Sequence, residues 1–133
     1  MLIRGPSGSG KSQLALGLIE AAQCGALLCA RLVADDRAHL QASGGRLLVR
    51  PAGTLAGLIE VHGVGLLRLP HEPRAVVGLV VDLAAADAER LPAPESRRTE
   101  IFGISLPRLA VASGALALPP VLAVIKSSPH AWT

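Results

Sequence analysis

The chain has 133 residues, half of them apolar and 17% charged, with a net charge of +3. This is the size of one small domain with enough apolar side chains for a core. Phe102 and Trp132 are its only aromatic residues and its arginines are scattered. That excludes aromatic stacking platforms for single-stranded nucleic acid and gives nucleic-acid binding no support.

The first element is a short strand, Leu2-Ile3-Arg4. Residues 5–12 then read Gly5-Pro6-Ser7-Gly8-Ser9-Gly10-Lys11-Ser12, the G-x-x-x-x-G-K-S pattern of a phosphate-binding P-loop. The glycines allow a path that turns successive N–H groups toward an anion. Lys11 adds a charge for the outer phosphates, and the Ser12 hydroxyl can ligate magnesium. Apolar residues at helical spacing from Lys11 to Glu20 predict a helix whose positive dipole end faces the same anion. A flexible Gly/Ser-rich start is the plain alternative.

Ala26 to Ala34 is a continuous apolar run with one arginine, so it predicts a buried strand ending at Asp35-Asp36. Cys24 and Cys29 lack C-x-x-C spacing and are expected to be reduced core thiols. Arg37 to Gln41, the turn at Ser43-Gly44-Gly45, and Arg46 to Arg50 predict a hairpin. Pro51 to Gly57 is a loop or short helix. Leu58 to Glu60 and Val64 to Leu69 are strand-like on either side of His62-Gly63. Ala75 to Leu83 is expected to be a central strand. Ala88 to Ser96 reads as a surface loop. Two further strands, Ile101 to Leu106 and Arg108 to Ala112, are expected either side of Pro107. Pro119-Pro120 can open a short helix over 121–126. No apolar run reaches membrane-spanning length, since Asp82 interrupts Ala75 to Ala86. No signal peptide precedes the P-loop, so a cytoplasmic protein is expected. The pattern predicts an α/β fold with an α+β tendency: a P-loop on a mixed, mostly β core.

A P-loop needs carboxylates to hold magnesium and to manage a proton. Asp35 and Asp36 end a predicted strand, where such groups belong. Adjacent aspartates point to different sides, so one can face a metal and the other an acceptor; an acidic turn is the bland reading. Glu60, ending an apolar strand before a glycine-spaced loop, is a third candidate.

Three motifs in this order resemble the HPr kinase/phosphorylases: residues 5–12, Leu32-Val33-Ala34-Asp35-Asp36, and Ile59-Glu60-Val61-His62-Gly63-Val64-Gly65-Leu66. The resemblance runs from the P-loop to about Ala112. It is nearest to the short, single-domain alphaproteobacterial forms. It implies a core similar to phosphoenolpyruvate carboxykinase, with ATP and Mg2+ as cofactors. It also implies an HPr-like phosphocarrier as partner, phosphorylated on a serine and dephosphorylated by phosphorolysis, in control of carbohydrate use. By position, Ser12 and Asp35 would serve the metal, with Glu60 in support. Asp36 would be the base, and the acid in reverse. Arg90 would be the loop arginine near the phosphates. The family places a His-Gly pair and a further strand ahead of the P-loop, so residues 1–133 are expected to be one catalytic domain lacking that strand. His62 stands where the signature has an arginine. The family's regulatory domain and C-terminal helices are likewise expected to be missing, which leaves homo-oligomerisation open. Another P-loop small-molecule kinase or NTPase, or an ATP-binding regulatory domain without turnover, are the other readings.

Overall fold

A computed structural model describes residues 1–127. Strand β1 (Leu2–Arg4) runs into the P-loop and then helix α1 (Lys11–Gln23). The remaining strands are β2 (Ala38–Ser43), β3 (Arg46–Pro51), β4 (Leu58–Val61), β5 (Gly65–Arg68), β6 (Ala75–Val76), β7 (Val80–Asp82), β8 (Arg98–Ile101) and β9 (Ile104–Ala110). Helix α2 (Leu118–Lys126) follows, with Pro119 and Pro120 in its first turn as expected. Short 3-10 turns occupy Gly53–Leu55 and Pro94–Arg97.

The main sheet has the order β1-β7-β9-β8, with β1, β7 and β9 parallel and β8 antiparallel. A second sheet has the order β2-β3-β6, and β4-β5 stands as a separate hairpin. Side chains alternate across β7, so Val80 and Val81 face opposite ways. Both are fully buried. Val81 joins Leu14 and Leu18 of α1 and Val121 of α2. Val80 joins Leu47 and Val49 of β3 and Leu106 of β9. The main sheet is therefore a middle layer between two helices and the second sheet, which is the mixed α/β architecture the sequence predicts.

Four expectations need correction. Ala26 to Ala34 is not a strand. It crosses the surface as irregular chain, with Leu27 packed on the core, Leu32 buried and Leu28 fully exposed. Its single bridge is Leu32 to His71. With no strand there, nothing buries the thiols, and Cys24 and Cys29 are both exposed. Ala75 to Leu83 splits at Gly78 into β6 and β7, which belong to different sheets. The pair expected around Pro107 is instead the β8–β9 hairpin. Its two-residue turn, Phe102-Gly103, has φ of 49° and 77°, the positive values that match the twist of the strands. Ile104 pairs Ile101 next to that turn, so Arg98 and Pro107 fall at a non-hydrogen-bonded pair. Pro107, lacking an N–H, therefore costs β8 no bond. The predicted hairpin over 37–50 forms as β2 and β3, turning at Gly44-Gly45.

Candidate functional site

β1, β7 and β9 all end at the same side of the sheet, the side where open parallel sheets place ligands. β1 delivers the P-loop there. Gly5 has no room for a side chain: a Cβ would lie 2.5 Å from Ser9 Oγ and 3.2 Å from Leu83. Gly10 caps α1 in the left-handed region at φ 96°, and its carbonyl accepts the first helical bond from Leu14 N–H at 2.9 Å. Lys11 folds back over the loop, and its Nζ donates to the carbonyls of Gly5 (2.9 Å) and Pro6 (3.0 Å). Ser9 Oγ is buried and has no protein partner. An orphaned hydroxyl inside an anion nest, under a lysine occupied only by its own loop, fits a phosphate group.

The metal candidates meet across three elements. Ser12 Oγ, at the start of α1, donates to Asp35 Oδ1 at 2.6 Å. Glu60 N–H, on β4, donates to Asp35 Oδ2 at 2.8 Å. Asp35 reaches this corner because buried Leu32 anchors its segment. Glu72 N–H donates to Leu32 O (2.8 Å), and Arg31 pairs with Glu72 (2.8 Å). Glu60 contributes here through its backbone, and its side chain is exposed. Among the described residues no three His, Cys, Asp or Glu side chains form a metal cage. Magnesium in phosphoryl-transfer sites needs none, since one or two carboxylates plus phosphates and waters suffice. The hard oxygens of Ser12 and Asp35 suit that ion.

Asp36 is exposed, with no bond to any described residue, beside but apart from the Ser12–Asp35 pair. His62 is exposed in the β4–β5 turn. Arg90 is exposed in the long segment after β7. It lines a separate cleft with Val111, Leu116 and Pro120, and no bond joins it to Ser12, Asp35 or Glu60.

One group at this end escaped the sequence reading. Asp82 ends β7, directly across from Arg4 of β1. This strand end beside the P-loop strand is where many P-loop proteins hold their metal carboxylate. Here Arg4 donates to it twice, from Nε (2.6 Å) and Nη2 (2.8 Å), and Arg108 Nε donates at 2.5 Å. Burial pushes the Asp82 carboxyl up, but the bonds from Arg4 and Arg108 outweigh it and hold it below its usual range. A carboxylate neutralised by two guanidiniums is a poor magnesium ligand. The signal was present in the sequence as an apolar β-branched run closed by a single aspartate.

No protein-family model matches the chain. Among curated proteins, an HPr kinase/phosphorylase of Geobacillus thermodenitrificans is 32% identical over 125 residues, covering 84% of this chain. One of Neisseria meningitidis is 35% identical over 97 residues, or 67% of this chain. By sequence the chain is a relative of the HPr kinase/phosphorylases. It spans only 37% and 28% of those proteins' lengths. The solved HPr(Ser) kinase/phosphatase of Coxiella burnetii shares its fold, with a TM-score of 0.69 over 92% of this chain and 76% of the other, at 22% identity. Among the described residues no helix is long and apolar enough to cross a membrane.

Proposed function

We propose that this domain is an ATP-dependent serine kinase and phosphorylase acting on an HPr-like phosphocarrier protein. The observation that carries the reading is the Ser12–Asp35–Glu60 junction. Three motifs far apart in sequence converge on one carboxylate at the mouth of a P-loop. The relatives' names supply the substrate class, and cytoplasmic residence follows from it.

In this reading the N–H groups of residues 8–12 cradle the β- and γ-phosphates of ATP, and Lys11 leaves its two carbonyls for the phosphate oxygens. Ser12 and Asp35 would hold magnesium, with Glu60 supporting them. When bound, the ion offsets phosphate charge and orients the γ-phosphoryl group. Asp36, exposed and unbonded, faces the incoming protein and takes the proton of its serine hydroxyl. The serine oxygen bonds to the γ-phosphorus as the bond to the bridging oxygen of ADP breaks. In reverse, inorganic phosphate attacks the phosphoserine phosphorus. Pyrophosphate forms, and Asp36 returns the proton to the serine oxygen. Arg90, assigned by resemblance and lining its own cleft, would serve the phosphates only from a different position of its side chain. His62, shorter than an arginine and without its forked donors, is a weaker anion partner at the signature position.

Incubation with ATP, magnesium and purified HPr, followed by mass measurement of HPr, tests the reading. The expected product is HPr carrying one phosphoryl group on serine, removed again by inorganic phosphate with release of pyrophosphate. ATP binding without any modified HPr would favour the regulatory reading. ATP consumption with a phosphorylated small molecule and unmodified HPr would favour a small-molecule kinase.

A further inference from the structure

Arg108 of β9 makes more bonds than closing a sheet requires. Its side chain is only 13% exposed. Nε donates to Asp82 (2.5 Å). Nη1 donates to Asp87 Oδ2 (2.6 Å) and to the Ser96 carbonyl (3.1 Å). Nη2 donates to Asp87 Oδ1 (2.9 Å). Asp87 and Ser96 bracket the segment that carries Arg90. Just past it, Arg97 Nε donates back to the Pro92 carbonyl (3.1 Å), which folds the segment's end on itself. On its other side Asp82 is gripped by Arg4, the residue immediately before Gly5. One unbroken line of bonds therefore runs Arg4–Asp82–Arg108 and then forks to both ends of the Arg90 segment. The two regions also touch directly, since Leu83 N–H donates to Arg4 O (2.8 Å) and Leu83 packs where a Gly5 Cβ would stand.

We propose that Arg108 is a positioning residue for the nucleotide site, holding the Arg90 segment in fixed register with the P-loop through Asp82 and Asp87. The proposal rests on the nucleotide reading above and on Arg90 serving the phosphates. Two features separate this from plain stabilisation. The Asp87 side chain is 54% exposed, and an exposed ion pair adds little to stability. Yet Arg108 holds it with a bidentate fork, the geometry that fixes orientation. A lysine, with one point charge, cannot hold three partners in this way. The same network ties down the fifteen-residue connection that crosses from β7 to β8.

The test is a double-mutant cycle read as magnesium–ATP affinity by calorimetry. Arg108→Ala and Asp87→Ala are each combined with Arg90→Ala. Asp87→Ala is the variant that keeps the fold if Arg108→Ala does not. In the parent background each should weaken ATP by about three- to tenfold, a coupling typical of residues in one network. In the Arg90→Ala background neither should weaken it further, and Arg108→Lys should behave like Arg108→Ala. Equal losses in both backgrounds would mean that Arg108 acts without Arg90 and would overturn the proposal. So would unchanged affinity in the parent background. If the parent chain binds no ATP, this proposal and the nucleotide reading fall together. If coupling is present but HPr is never modified, only the kinase reading falls. If HPr is modified but the cycle is additive, only the positioning role falls.

Discussion

Two carboxylates flank the P-loop, and they live in opposite surroundings. Asp35 meets a hydroxyl and a backbone amide, neither of them charged. Asp82 meets two guanidiniums, one of which also holds Asp87. Strand position alone would assign the metal to Asp82. We propose that the metal goes to Asp35 instead, because an ion cannot compete for a charge already balanced by two fixed cations but can displace a neutral donor. The Asp35 corner is thus left open for chemistry, and the Asp82 corner is spent on joining strands and loop.

The largest effect expected from breaking this division is at Asp36, next to the open corner. Asp36→Asn should lower phosphotransfer to HPr, and its reversal, by about 10²–10⁴-fold with ATP affinity nearly unchanged, since a base acts on rate rather than ground-state binding. Retained turnover in both directions would move the base elsewhere. At the closed corner, Asp82→Asn leaves Arg4 without its counter-charge and Arg108 with Asp87 alone. It should cost about 1–2 kcal/mol, a fall in melting temperature of roughly 5 °C. An unchanged melting curve would mean that the network carries no stability.

Acid should affect this corner in the same direction. The folded Asp82 carboxyl lies below its usual value, so its contribution is complete above the unfolded value of about 4 and is lost as pH falls through the folded one. Melting temperature is therefore expected to hold from neutral pH to about pH 5 and then fall. In Asp82→Asn that share of the acid loss should vanish. Identical acid profiles for parent and variant would remove Asp82 as the cause.

The smallest expected effect lies at the edge of the main sheet. β1 pairs only with β7, and its free side borders a cavity of about 340 Å³ lined by Leu18, Leu27, Leu32 and Val33. Burial there pushes the Met1 amine below its usual value. We propose that a further strand covers this edge. Adding an extended apolar segment ahead of Met1 should raise the melting temperature by several degrees, about 1 kcal/mol. Coincident melting of the short and extended chains would mean that the edge needs no cover.

The open corner was more legible in the sequence than the closed one, for a physical reason. The P-loop is eight consecutive residues, each with its own task, so the sequence shows it whole. Asp35 and Glu60 stand out because each closes an apolar stretch beside a turn. The path that delivers Asp35 was misread. An apolar run from Ala26 to Ala34 has the composition of a strand, but Leu27, Leu32 and Val33 pack inward while Leu28 is fully exposed, and periodicity cannot distinguish such a run from a strand. The closed corner joins Arg4 to Asp82 and Asp82 to Arg108 across 78 and 26 positions, and no local pattern marks a pair at such separations. The Phe102-Gly103 turn was missed because phenylalanine is an uncommon residue at positive φ. Arg90 was singled out by resemblance alone, and the bonds that hold its segment were not visible in the sequence.

The division of labour between the two carboxylates is tested most directly by titrating magnesium against nucleotide binding in Asp35→Asn and Asp82→Asn, both held well below their melting temperatures. The account predicts that Asp35→Asn shifts the magnesium midpoint upward by about tenfold, the loss of one charged ligand, while Asp82→Asn leaves it at the parent value. A shift in Asp82→Asn with none in Asp35→Asn would place the metal at the other corner and contradict the account.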